Sequence, residues 1–184
     1  MVETAATTPA TGRGRAVVTL VSVFLLGLLL DQGSKILAVR ELDPQNPPAL
    51  LGGLLHLKLI RNPGAAFSMG TSVTIVFTLL AMAALVFCVV WLVPKVTTRA
   101  QGFVLGMAMA GIAGNLIDRI ARGPAPLRGH VVDFFAVPHF AIFNVADIFL
   151  TLAAALVILW TVRESLLERC DDKALEDTGR AAKD

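Results

Sequence analysis

Acidic and amide side chains occur at short spacings beside the long apolar runs of this sequence. Asn115 and Asp118 are three residues apart, as are Asn144 and Asp147, so each pair shares one helix face. Asp133 lies within a short apolar stretch, where an unpaired carboxylate gains nothing structurally. Ionisable groups inside or at the ends of membrane helices are costly, which makes each of them a candidate functional residue.

Several inward carboxylates predict acid–base chemistry. Two carboxylates that share a site cannot both ionise easily, so one stays protonated while the other acts as a base. Such a pair can activate a water against a peptide carbonyl and protonate the leaving nitrogen. The sequence shows no Ser or Cys nucleophile beside a base and no set of metal ligands. The spacing leaves open whether Asp118 or Asp133 is the partner of Asp147.

The composition predicts the setting of this chemistry. Of the 184 residues, 55% are hydrophobic and only 16% charged, whereas soluble domains carry about 25% charged residues. A mean hydropathy of +0.72 fits a polytopic membrane protein. The net charge of +2, without clustered basic residues, gives no case for nucleic-acid binding. Cys88 and Cys170 fit neither a disulfide framework nor a metal site.

Four apolar segments are predicted to span the membrane, at about residues 16–39, 73–93, 102–119 and 142–162. They form one domain, residues 16–162, between a disordered basic N-terminus at 1–15 and a charged cytoplasmic tail at 163–184. The first run continues past Asp31 and Lys35 instead of ending at a cleavage site, so it is not interpreted as a cleaved signal peptide. Slightly more Lys and Arg residues on the side of the termini weakly favour cytoplasmic termini.

The third span carries small residues at every fourth position, Gly102, Gly106, Ala110 and Gly114, and Asp118 occupies the next position. Small side chains let a neighbouring helix approach closely. This spacing therefore predicts that the ridge faces the interior of the bundle and that Asp118 points inward. In the first span, Asp31 and Lys35 are four residues apart and are predicted to pair on one helix face.

Two segments, residues 40–71 and 119–141, are predicted to lie on the outer side. Residues 55–59 alternate between apolar and polar side chains, which predicts a short half-buried strand. Residues 61–64 predict a turn. The apolar residues 134–140 are expected to lie in the bilayer interface. The three histidines are expected to be surface or interface residues rather than ligands: His56, His130 and His139.

These features resemble the bacterial lipoprotein signal peptidases (signal peptidase II) over roughly residues 16–162. Any one of the matching motifs would be weak, but five of them in the family's order on four spans are specific. The five are residues 31–35, 62–68, 114–119, 131–134 and 143–147.

The resemblance implies an all-α membrane protein, with four transmembrane helices and a small extracytoplasmic β-sheet segment. It would be an aspartyl endopeptidase of the cytoplasmic membrane with cytoplasmic termini and a site near the outer face. The catalytic pair would be Asp133 and Asp147. Substrate-binding and supporting residues would be Asn62, Asn115, Asp118, Arg119, Asn144, Asp31 and Lys35.

The resemblance also implies the substrate, a prolipoprotein whose lipobox cysteine already carries diacylglycerol and which is cleaved on the amino side of that cysteine. Membrane lipid is the other expected partner. No cofactor or metal is expected, and the protein is expected to act as a monomer. Residues 50–70 would form the family's surface sheet, and residues 122–141 a mobile lid.

Other classes of membrane protein explain the acids less well. An ion-coupled transporter predicts acids near the bilayer midplane and internal repeats, whereas here the acids gather at one end of the spans and no repeat occurs. A lipid-headgroup transferase would show a characteristic run of aspartates that is absent from the sequence. A protein that only anchors or assembles others would need none of these acids.

Overall fold

A computed structural model describes residues 10–64 and 72–181 of the chain. The helices are α1 (Ala10–Glu41), α2 (Ser72–Phe87), α3 (Arg99–Ala121) and α4 (Val145–Ala181). A π-helical turn and a 3-10 turn extend α2 to Lys95. Four stretches are long and apolar enough to cross a membrane: Gly12–Glu41, Thr74–Lys95, Arg99–Ala121 and Val145–Arg169. The predicted fold class is confirmed.

The helix ends differ from the predicted boundaries. Helix α1 begins at Ala10, so residues 10–15, which were predicted to be disordered, are helical. Helix α4 begins at Val145 rather than near 142, because residues 141–143 pair as a strand. It continues to Ala181, so most of the predicted tail is helical. Residues 1–9 and 182–184 of the two predicted terminal segments lie outside the described residues, as do residues 65–68 of the second family motif.

One small antiparallel sheet connects the helices. Its strands are β1 (Ala49–Leu50), β2 (Leu55–Asn62), β3 (Val131–Val137) and β4 (Ala141–Phe143), in that spatial order. The strand predicted at residues 55–59 is confirmed and extends to Asn62. Beyond it, the Gly64 N–H donates to Oδ1 of Asn62 at 2.8 Å, and Gly64 adopts a φ of +91° in the turn predicted there.

Residues 134–137 of the segment predicted to lie in the bilayer interface form part of strand β3. Strand β3 is hydrogen-bonded to β2 on one side and β4 on the other, so its side chains are largely enclosed. Phe134 is buried in a core with Ala38 and Val132. Only residues 138–140, in the turn after β3, are fully exposed.

The ridge of small residues on α3 packs against α1, as its spacing predicts. A side chain at Gly102 would overlap the carbonyl oxygen of Ala16, and a Cβ at Gly106 would lie 2.7 Å from the carbonyl oxygen of Leu20. Close contact between the two helix backbones therefore requires glycine at these positions. The same contact brings the C-terminal half of α1 alongside Asp118, which is completely buried.

Candidate active site

The polar residues named from the sequence meet where five elements converge: the C-terminal half of α1, the end of strand β2, the last turns of α3, strand β3 and the start of α4. Within this region they form two groups that touch one another. One group surrounds two aspartates of β3 and α4. The other surrounds a lysine of α1.

Asp133 is a buried carboxylate on β3, with 3% of its surface exposed. Its Oδ2 accepts a hydrogen bond from Nδ2 of Asn62 at 2.9 Å, and its Oδ1 accepts one from Nδ2 of Asn144 at 2.6 Å. Burial raises the pKa of Asp133 to about 6, and the nearby charge of Asp147 acts in the same direction. The two amide hydrogen bonds lower this pKa but do not cancel the effect of burial.

Asp147 lies in the first turn of α4, where it and Asn144 bond to each other's backbone. The Asp147 N–H donates to Oδ1 of Asn144 at 3.1 Å, and the Asn144 N–H donates to Oδ2 of Asp147 at 3.1 Å. This reciprocal pattern resembles a capping box and explains why the helix begins here. Nδ2 of Asn115 donates to the other carboxylate oxygen of Asp147 at 2.9 Å.

Asn144 links the two aspartates. Its side chain is completely buried, and its Nδ2 donates both to Asp133 and to Oδ1 of Asn115, the latter at 3.1 Å. Asp133 and Asp147 are thus joined through asparagine amides. We call these two residues the aspartate pair.

Lys35 is the centre of the second group. Its Nζ lies 2.9 Å from Oδ2 of Asp31 and 2.9 Å from Oδ2 of Asp118, and all three side chains are completely buried. It also donates to Oδ1 of Asn115 at 3.0 Å. We call Lys35, Asp31 and Asp118 the lysine cluster. The ion pair predicted between Asp31 and Lys35 is present.

The two carboxylates of the lysine cluster also tie together neighbouring elements. Asp118 accepts from Nε of Arg122 at 2.6 Å and from the Val132 N–H at 3.1 Å, which joins α3 to β3. Asp31 accepts from the Ala146 N–H at 2.9 Å, which joins α1 to the start of α4. Asp118 therefore bonds to Lys35 and Arg122, and no hydrogen bond links it to Asp147 within the described part of the chain.

Arg119 lies beside the aspartate pair, close enough to be attracted by both carboxylates. Its Nη1 donates to the backbone carbonyl of Asn115 at 3.2 Å. Its Nε is buried and has no hydrogen-bond partner among the described residues. A buried donor without a partner is costly, so this atom is a candidate contact for a bound molecule.

Sequence reasoning missed two residues that bond to the carboxylates of the lysine cluster. Arg122 pairs with Asp118 at a spacing of four residues, which the helix periodicity could have shown. Gln32 donates to Oδ2 of Asp31 and to the Gly114 carbonyl, both at 3.0 Å. This contact crosses from α1 to α3 and leaves no signal in the local sequence. Within residues 10–64 and 72–181, no group of His, Cys, Asp and Glu side chains is arranged to hold a metal ion.

Fold and site together define a multi-pass membrane protein with two aspartates joined through amides at one end of its helices. Comparison with known proteins identifies the family. The model of a family described as signal peptidase (SPase) II matches residues 23–163, which is most of the chain. The chain belongs to this family. It is a peptidase, and its class takes part in lipoprotein processing.

Individual relatives agree with this assignment. A lipoprotein signal peptidase of Streptomyces coelicolor is 40% identical over 149 residues, 81% of this chain and 72% of that protein. One of Mycolicibacterium smegmatis is 44% identical over 128 residues, 70% of this chain and 54% of that protein. A solved bacterial membrane enzyme shares the fold, with a TM-score of 0.65 and 23% identity over 81% of this chain and 90% of that one.

Proposed function

We propose that this protein is an aspartyl endopeptidase that removes the signal peptide from prolipoproteins whose lipobox cysteine carries diacylglycerol. Cleavage falls on the amino side of that cysteine. The observation that carries the proposal is the aspartate pair: two carboxylates, bonded to one buried asparagine, in a chain of the signal peptidase II family. Asp133 and Asp147 are the catalytic residues.

The surroundings of the pair support different roles for its members. Asp147 lies at the N-terminus of α4, where the helix dipole and two N–H donors stabilise a negative charge. Asp133 is buried, which raises its pKa to about 6 and favours its protonated form. Asp147 then takes a proton from the attacking water, and Asp133 polarises the scissile carbonyl.

The remaining named residues hold the substrate or the pair. Nε of Arg119 is a buried donor that can bond to a substrate carbonyl or to the oxyanion that forms on it. Asn62, Asn115 and Asn144 orient the two carboxylates. The lysine cluster supports these residues through the bond from Lys35 to Asn115 and the bond from the Ala146 N–H to Asp31.

The membrane setting completes the proposal. With both termini in the cytoplasm, the pair lies near the outer face of the cytoplasmic membrane. The diacylglyceryl group and the surrounding lipid hold the substrate at this depth, which reduces the search for the scissile bond. Both aspartates come from one chain, so a monomer contains the whole pair. The reaction requires neither a metal nor a cofactor.

Cleavage of a lipidated prolipoprotein by the purified protein tests this proposal. Asp133→Asn and Asp147→Asn should each lower the rate by about 10³-fold or more, because each removes a proton donor or acceptor. Asp43→Asn is the matched control, since Asp43 is exposed and its side chain, within the described part of the chain, accepts only from Gln45 and Asn46 of its own turn. It should cleave normally.

Two outcomes would contradict the proposal. One is full cleavage by either variant of the pair while thermal melts in detergent show it folded. The other is cleavage that stops in EDTA and returns with a divalent ion. The substrate requirement is tested with the same prolipoprotein lacking the lipid, which should be cleaved much more slowly.

A further inference from the structure

The side chain of Asn115 lies between the lysine cluster and the aspartate pair. Its Oδ1 accepts from Nζ of Lys35 at 3.0 Å and from Nδ2 of Asn144 at 3.1 Å. Its Nδ2 donates to Oδ1 of Asp147 at 2.9 Å. One amide group therefore connects a buried ammonium ion to a catalytic carboxylate.

An asparagine amide can occupy the same space in two orientations, related by exchange of its oxygen and nitrogen. The hydrogen-bond partners select one of them. For Asn144 the selecting partner is the Asp147 N–H, which requires an oxygen. For Asn115, Lys35 and Nδ2 of Asn144 both donate to the oxygen, and Asp147 accepts from the nitrogen. Of the two donors, Lys35 is the charged one, and its ammonium group only donates and must face an oxygen.

We propose that Lys35 is a positioning residue for the aspartate pair. It holds Oδ1 of Asn115 and thereby keeps Nδ2 of that amide directed at Asp147. This inference rests on the proposed function, since it assigns Lys35 a role in the hydrolysis carried out by the pair.

The effect of losing Lys35 follows from the contacts around it. The carboxylates of Asp31 and Asp118 would stay in place, held by the Ala146 and Val132 N–H groups. They are acceptors and would attract Nδ2 of Asn115. A reversed amide would then present its oxygen to Asp147, where it would repel the carboxylate that has to act as the base.

Lys35 also acts through its charge, because its positive charge lowers the pKa of Asp133. Without it, Asp133 should hold its proton to a higher pH. Other ionisable groups also face this region, from α1, α3 and α4. They are Asp31 on α1, Asp118, Arg119 and Arg122 on α3, and Asp147 on α4.

The test is the pH dependence of cleavage by Lys35→Met, using a lipidated prolipoprotein. We expect kcat to fall by about 100-fold, the size of effect that misplacement of a catalytic group causes. KM should stay within about threefold, since Lys35 is buried behind the pair. The alkaline limb of the kcat/KM profile should move to higher pH.

Arg122→Gln is the matched control. Arg122 donates to the same Asp118 carboxylate, but no hydrogen bond joins it to Asn115 among the described residues. This variant should melt at a lower temperature while its pH profile stays in place. If Lys35→Met instead loses rate only in proportion to its folded fraction, with the wild-type profile, Lys35 is merely structural and the proposal is overturned.

A double-mutant cycle with Asn115→Leu shows whether Lys35 acts through Asn115. In that background, Lys35→Met should lower kcat by less than about threefold, because the amide it orients is gone. A full second loss of about 100-fold would overturn the proposal. If Lys35→Met does not fold, the same readouts apply to Asp31→Asn/Lys35→Met, which removes two opposite buried charges together.

The proposed function and the role of Lys35 are distinguished by different variants. If Asp133→Asn or Asp147→Asn cleaves normally, the aspartate pair is wrong and the proposed function fails with it. If both of these variants are inactive while Lys35→Met keeps the wild-type rate and profile, only the role of Lys35 is wrong.

Discussion

Two groups of buried acids lie side by side in this protein, and they are neutralised differently. In the lysine cluster, Asp31 and Asp118 face an ammonium ion at 2.9 Å, and Asp118 also bonds to Arg122. In the aspartate pair, the hydrogen bonds come from asparagine amides and a backbone N–H. A neighbouring cation favours the charged form of a carboxylate by its full charge, whereas an amide offers only a hydrogen bond.

This difference agrees with the proposed roles, in which the lysine cluster supports the site and the aspartate pair carries out the reaction. A buried ion pair is costly to break, so the lysine cluster can fix α1, α3, β3 and the start of α4 relative to one another. Amides bring no full positive charge, so the cost of burying Asp133 remains and raises its pKa to about 6. Such a shift is typical of a group that exchanges protons near neutral pH.

The comparison predicts that the same substitution has opposite consequences in the two groups. Asp118→Asn should lower the free energy of unfolding by about 4 kcal/mol, because it leaves the buried Lys35 ammonium with one carboxylate partner fewer. It should retain measurable cleavage in proportion to its folded fraction. Thermal melts and cleavage rates in the same detergent measure both effects.

Asp133→Asn is the control for this prediction, since it is expected to abolish cleavage without lowering stability. Complete loss of cleavage by Asp118→Asn, with normal folding and substrate binding, would instead move Asp118 into the catalytic pair.

A second prediction concerns pH. Because the pKa of Asp133 is raised from 3.8 to about 6, the folded protein binds its proton more tightly than the unfolded chain does. Its contribution to stability is therefore full below about pH 4 and is lost as pH rises through about 6. The free energy of unfolding of wild type relative to Asp133→Asn should fall by about 3 kcal/mol over this range. Melts of both proteins between pH 4 and 7 measure the difference, and a constant difference would contradict it.

The contacts of the lysine cluster could be predicted from the sequence more completely than those of the aspartate pair. A spacing of four residues places Asp31 and Lys35 on one face of α1, and the small residues of α3 continue directly to Asp118. Both signals are local, because they follow from the periodicity of a single helix. The four spans were predictable for a similar reason, since a bilayer requires long apolar runs.

The partners of the aspartate pair depend on contacts between distant segments. Spacing alone left open whether Asp118 or Asp133 pairs with Asp147. The two residues differ in their hydrogen-bond partners, which they acquire only when distant segments meet on folding. Asn62 reaches Asp133 across 71 positions of sequence, and Lys35 reaches Asn115 across 80. Residues 141–143 illustrate the same limit, because an apolar triplet becomes a strand only when β3 pairs with it.

A third prediction tests how tightly the lysine cluster is held. Gly114 packs against Asp31, and a Cβ at this position would overlap Oδ2, the oxygen that bonds to Lys35. Gly114→Ala should therefore displace the carboxylate and lower the free energy of unfolding by about 2 kcal/mol. Cleavage should also weaken, because Asp31 holds the Ala146 N–H beside Asp147. Stability equal to wild type would show that the cluster can rearrange.

The smallest effect is expected at Gly33, which belongs to the same family motif as Asp31 and Lys35 but is exposed on α1. A Cβ there would meet nothing within 4 Å, and alanine favours a helix over glycine by up to about 1 kcal/mol. Gly33→Ala should therefore be as stable as wild type or slightly more stable, and equally active. Because both changes are Gly→Ala near the same cluster, the difference between their melting temperatures measures the close contact at Asp31 itself. A loss of cleavage by Gly33→Ala without a loss of stability would mean that the surface at Gly33 contacts the substrate.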